Sequence, residues 1–129
     1  MATKVIQPKS LPDPRPRYSQ GIQTSGGKLL FIAGQTAVDQ DGKVVGKGNI
    51  EKQAEQVFEN LTAVLKAAGG SFKNLMMTTT YITDIKYREG YNKVRLKYFQ
   101  GHHPTSTLVV VKGLAHKDYL IEIAGIAVL

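Results

Sequence analysis

The chain ends in YLIEIAGIAVL, residues 119–129, a stretch apolar at nearly every position. In an extended strand, alternate residues share a face. Leu120, Glu122, Ala124, Ile126 and Val128 then point one way, and Ile121, Ile123, Gly125, Ala127 and Leu129 the other. Both faces read as buried, which places the strand inside a sheet covered on two sides. Glu122 breaks the pattern. A carboxylate taken out of water without a partner is costly. It either pairs with a lysine or arginine, reaches solvent at the strand end, or is kept for chemistry such as donating a proton or activating water.

The rest of the sequence supplies the layers around this strand. Prolines at 8, 12, 14 and 16 make residues 1–16 an irregular, extended lead. YSQGIQT and KLLFIAGQTAV follow as strand candidates, and Asp41-Gly42 marks a hairpin turn. From Ile50 the period changes. Ile50, Ala54, Val57, Leu61, Val64, Leu65 and Ala68 recur at helical spacing, with Asn49 as N-cap and Gly69-Gly70 as terminator. NLMMTTTYITDI reads as a strand, and Tyr87, Tyr91, Val94 and Tyr98 form the stripe of a second helix that Gly90 weakens. STLVVVK adds a strand before the terminal one. The order predicts a single α+β domain over residues 1–129, with two helices on one face of a mixed sheet. The bare face of such a sheet needs a cover, and other subunits would provide it.

Several function classes drop out. With 129 residues and no cysteine, the chain has no disulfide framework, cysteine zinc site or thiol nucleophile. His102, His103 and His116 lack metal-ligand spacing, so no metal is expected. No serine-nucleophile elbow, phosphate loop or dinucleotide fingerprint is present. The start carries no secretory pattern and no apolar run spans a bilayer, so a cytoplasmic protein without membrane partners is expected. Lysine and arginine exceed aspartate and glutamate by seven. The charges are scattered, which reads first as a solubilising surface, although an acidic partner would be favoured. Gly34, in AGQ, is either a bulge or a point where a ligand meets the backbone.

The segments YSQGI, LLFIAGQTAVDQDGKVVG, IEKQAEQVFENLTAVLKAAGGSFKNL, TTTYITDI, YNKVRLKYF and IEIAGIAVL together resemble the Rid family, also called YjgF/YER057c, over residues 18–129. The resemblance implies a chorismate-mutase-like fold, a homotrimer with ligand clefts between subunits, and cofactor-independent hydrolysis of imines and enamines such as 2-aminoacrylate to ketoacids and ammonia. By that resemblance Glu122 places the attacking water. Tyr18, Gly34 and Asn92 match cleft positions, and Ala33 stands where a serine is common. The family's Pro-Ala-Arg-Ser motif is Pro-Thr-Ser-Thr here, residues 104–107. Ser106 thus occupies the place of an arginine that grips the substrate carboxylate through two parallel hydrogen bonds. Ser106 and Thr107 would offer hydroxyls instead, and carboxylate-bearing imines would bind poorly. Arg15, Arg17, Arg88 and Lys112 are the candidate substitutes for the lost cation. The readings are then a hydrolase or deaminase of another C=N metabolite, a non-catalytic small-metabolite binder, or an RNA-cleaving inhibitor of translation. Nucleic acid is the least expected partner, because the chain lacks a paired acid and base of ribonuclease type.

Overall fold

The computed structural model describes residues 2–129. Six strands and two helices run in the order β1 (Ala2–Ile6), β2 (Gly21–Ser25), β3 (Leu29–Gln35), α1 (Ile50–Ala67), β4 (Leu75–Ile82), α2 (Arg88–Phe99), β5 (Thr105–Val110) and β6 (Ile121–Val128). The main sheet has the order β3-β6-β4-β5. The β4–β5 pair is parallel and the other pairs are antiparallel, so the sheet is mixed as expected. The terminal strand is central, between β3 and β4. Two expectations are corrected. Residues 2–6 are not irregular lead but a strand, which pairs with β2 from Ala2–Ser25 to Ile6–Gly21. Together β1 and β2 form a ribbon separate from the main sheet. The Asp41-Gly42 turn closes only a single bridge, Val38–Val44.

Helix α1 forms where its apolar period and its caps agree. The Asn49 side chain accepts from Lys52 N, and Gly69 takes the left-handed conformation beyond the last turn. Its inner face buries Ala54, Val57, Phe58, Leu61 and Leu65. These pack on Ile32, Ile82, Ile121, Ile123 and Ala127 from the sheet and on Tyr91 and Val94 of α2. Gly90 is explained by this packing, since a Cβ there would come within 2.7 Å of Ile50 Cγ2. The sheet therefore has one covered face. Leu29, Phe31, Met77 and Val109 on the other side stay exposed, Phe31 by 71%. The terminal strand is not buried on both faces as its composition implied. Ile121, Ile123 and Ala127 are in the core, while Glu122, Ala124 and Ile126 on the opposite face are only half-buried.

Gln53 is a polar residue with no exposed surface on the inner face of α1. Its Nε2 donates to Asp118 O (2.7 Å), and its Oε1 accepts from Leu120 N (2.8 Å). One side chain thus fixes the entry to β6, two residues before Glu122. Gln53→Leu leaves both backbone groups without these partners and is expected to lower unfolding stability by about 2–4 kcal/mol. Urea titration reads the change. A loss within the error of the measurement would show that water replaces the amide.

Candidate functional site

The sequence-chosen residues fall into two places on opposite faces of the sheet. Glu122 lies on the open face beside Tyr81, its cross-strand neighbour on β4. The pairing of β3 with β6 shifts between Ile32 and Gln35, where β3 holds an extra residue. Such a bulge bends the strand and re-aims its backbone. Gly34 sits in this bulge, under the Glu122 side chain. A Cβ at position 34 would overlap Oε2 and lie 2.8 Å from Cδ and 3.0 Å from Cγ. Glycine is therefore needed to seat the carboxylate, which no backbone-ligand contact has to explain. No salt bridge to Glu122 is found among the described residues.

The second place lies between β5 and α2. Strand alternation sets it up. Ser106 pairs with Thr78 and Leu108 with Thr80, and both threonines are buried on the helix side. Ser106 accordingly lines a cavity of about 310 Å³ with Tyr18 and Asn92. Residues 17 and 18 are held there by Ser19, whose N donates to Pro104 O at 3.2 Å and whose hydroxyl donates to His103 O. Thr107, the next residue along β5, is exposed on the other face. Ser106 and Thr107 of one chain therefore cannot offer their hydroxyls to one ligand, contrary to expectation.

The cavity carries positive charge beside Ser106. Arg17, Arg88 and Arg95 line the same walls, and no aspartate or glutamate does. Arg17 and Arg88 were among the candidates; Arg15 and Lys112 do not line this cavity. Arg15 is instead paired with Asp13 through Nε (2.8 Å) and Nη2 (2.5 Å), and that hydrogen bonding holds the Asp13 carboxyl at about 2. Arg95 was missed. It is 3% exposed, its guanidinium lies 5.2 Å from the Tyr91 ring centroid, and its Nη1 donates to Tyr91 Oη at 3.4 Å. Its Nε is buried with no hydrogen-bond partner. The available signal was position: Arg95 stands four residues after Tyr91, on the apolar stripe of α2.

Other polar groups lie outside these two places. A larger depression of about 700 Å³ lies beside α1. There Tyr98 donates to Glu59 (2.7 Å) and Lys97 pairs with Glu55 (3.7 Å), so both acidic groups of its wall already have partners. Burial, then Glu59, pushes the Tyr98 hydroxyl well above the ordinary phenol range. His102 Nε2 is bonded to Leu75 O. Burial pushes the His103 imidazole down, and His102, Arg15 and Arg95 act in the same direction. No group of three metal-ligating side chains occurs among the described residues, and no helix there is long and apolar enough to cross a membrane.

The chain is thus a small α+β domain with an open apolar sheet face, a carboxylate on that face and a polar cavity on the helix side between α2 and β5, an architecture consistent with a small-molecule deaminase-like or binding role. The model of the family described as "Endoribonuclease L-PSP" matches residues 8–129. A "RutC family protein" of Saccharolobus solfataricus is 41% identical over 96% of this chain and 96% of its own length. A Yersinia pestis protein, YyfB, solved as a member of the "Conserved Rid Protein Family", covers all of both chains at 28% identity with a TM-score of 0.93. A second Yersinia pestis member, YyfA, is 36% identical over 99% of this chain and 100% of its own, with a TM-score of 0.74. The chain belongs to the Rid (YjgF) family.

Proposed function

We propose that this protein is a cofactor-independent hydrolase of an imine, enamine or related C=N metabolite, working in clefts between the subunits of a homotrimer. The observation that carries the reading is the Glu122 carboxylate, without a salt bridge among the described residues and seated over Gly34 on the open face. A carboxylate so placed can take a proton from water as the oxygen attacks the C=N carbon. The tetrahedral adduct then protonates at nitrogen and expels ammonia, leaving a carbonyl. One water is consumed and one ammonia released per turnover.

Two features support the subunit cleft. The exposed apolar residues on the same sheet face as Glu122 form a surface that a partner chain would cover. Glu122 and Ser106 also lie on opposite faces of one sheet, so a cleft holding both draws them from different chains. The arginines beside Ser106 reopen carboxylate-bearing substrates, which the serine alone argued against. The same separation of the two places favours a second reading, in which the cavity binds a metabolite without turnover.

Ammonia release from a panel of imines, including 2-iminopropionate made in situ, separates these readings. Turnover above the uncatalysed rate is expected with at least one substrate. A panel that binds but never releases ammonia would sink the hydrolase and leave the binder. RNA cleavage that survives Glu122→Gln would point to another site or a contaminant.

Gly34→Ala gives an independent check on the seat. The backbone of Gly34 lies outside the left-handed region, and what the new methyl meets is the end of a flexible side chain. The fold should absorb it, with a stability change of about 1 kcal/mol or less. The carboxylate must move, and a misplacement of about 1 Å can cost ~100-fold in rate. Full activity in Gly34→Ala would show that the resting position of Glu122 is not the working one.

A further inference from the structure

We propose that the cavity between α2 and β5 is a subsite for a compact dianion, a short dicarboxylate or a phosphate monoester, with Arg95 as its buried anchor. A guanidinium cannot shed its charge inside a protein, unlike a buried carboxylate or lysine. Taking it out of water is costly unless an anion or several hydrogen bonds compensate. At Arg95 the compensation within the chain is slight: one long hydrogen bond and the face of Tyr91, with Nε left unpaired. The missing partner is an acceptor, and the cavity is where it can enter.

The charge sum sets the class of ligand. Three guanidiniums line a space of about 310 Å³ with no acidic residue among the lining residues. A monocarboxylate would offset one of them. Two negative charges on one small ligand meet the buried Arg95 and at least one of the exposed pair, Arg17 and Arg88, which approach from the lead before β2 and from the first turn of α2. Tyr18, Asn92 and Ser106 supply neutral contacts suited to remaining oxygens. The planar fork of arginine matches carboxylate and phosphate alike, so both sources remain within the proposal. For its catalytic meaning the subsite rests on the hydrolase reading, because it would hold the anionic part of the substrate on which Glu122 acts. As a binding site it stands without that reading.

The test is calorimetry and thermal denaturation of the full chain with malonate, inorganic phosphate or acetate, against chloride at matched ionic strength. Malonate or phosphate is expected to bind at least ~10-fold tighter than acetate and to raise the melting temperature with dose. A response to malonate alone assigns the dicarboxylate, and a response to phosphate alone the phosphate ester. Arg95→Met should lose the response, and Arg95→Lys should lose most of it, since an ammonium lacks the fork. Glu122→Gln should keep it, so anion binding with no turnover rejects the hydrolase and leaves the subsite intact. If Arg95→Met does not fold, the pair Arg17→Ala and Arg88→Ala replaces it and should weaken both anions at least ~10-fold. Equal binding of acetate and malonate, or an undiminished response in the arginine variants, overturns the proposal.

Discussion

Glu122→Gln is expected to lower ammonia release by about 10²- to 10⁴-fold with little change in stability. Glutamine keeps the size and shape of the side chain and so preserves its seat over Gly34. It has no carboxylate lone pair basic enough to take a proton from water. The folded chain offers Glu122 no salt bridge among the described residues, so the substitution breaks none. Removing a half-buried charge is neutral or slightly stabilising under those conditions. The two readouts therefore separate: activity collapses while the melting temperature holds or rises. Substrate affinity should change far less than turnover, because the group acts in the transition state and not in anchoring the ligand. Retention of wild-type turnover by Glu122→Gln would remove Glu122 from the chemistry and transfer attention to the cavity side. An equal loss in affinity and turnover would instead make it a binding group.

The parts of this molecule that could be read from the sequence are those fixed by local rules. Helix α1 needed only its apolar period, Asn49 and the glycine pair, all within one stretch. That residues 121–128 form a strand with a core-facing side followed from composition and a period of two, while its central place between β3 and β4 is set by pairing. What escaped was set by distant partners or by exceptions to residue type. Strand β1 is exposed along its whole length and pairs with β2 across the proline-rich segment, so no buried face marked it. Gln53 and Arg95 are polar residues on inward faces. Composition assigns such residues to solvent unless the partner is known, and their partners are a distant backbone in one case and an adjacent tyrosine in the other. Thr107 was legible and misused: a period of two already separates it from Ser106. The reading of Gly34 stayed open between a bulge and a ligand contact for a related reason, and the bulge is what the sheet shows. A glycine in a strand announces a close approach, but not whether the approaching group is a ligand or a side chain of the same protein.

Mixing Arg95→Met with Glu122→Gln is expected to restore activity that neither variant has alone. The reason is the placement of the two groups on opposite faces of one sheet. If a single ligand touches both, Arg95 comes from one chain and Glu122 from its neighbour. In a homotrimer of either variant, every cleft then lacks one of the two. Random reassembly of equal amounts joins an intact arginine to an intact glutamate in about a quarter of the clefts, because each neighbour is of the required type half the time. Turnover per site should rise from near background to about that fraction of the wild-type rate. The measurement needs native mass spectrometry beside the assay, so that mixed trimers are shown to have formed. With mixed trimers present and activity still absent, one chain would have to supply both groups or the two would serve different ligands, and the shared cleft would fall. A recovery near a quarter cannot arise from clefts built within single chains, since every chain in the mixture carries a defect. The result would therefore fix which faces meet as well as which residues act.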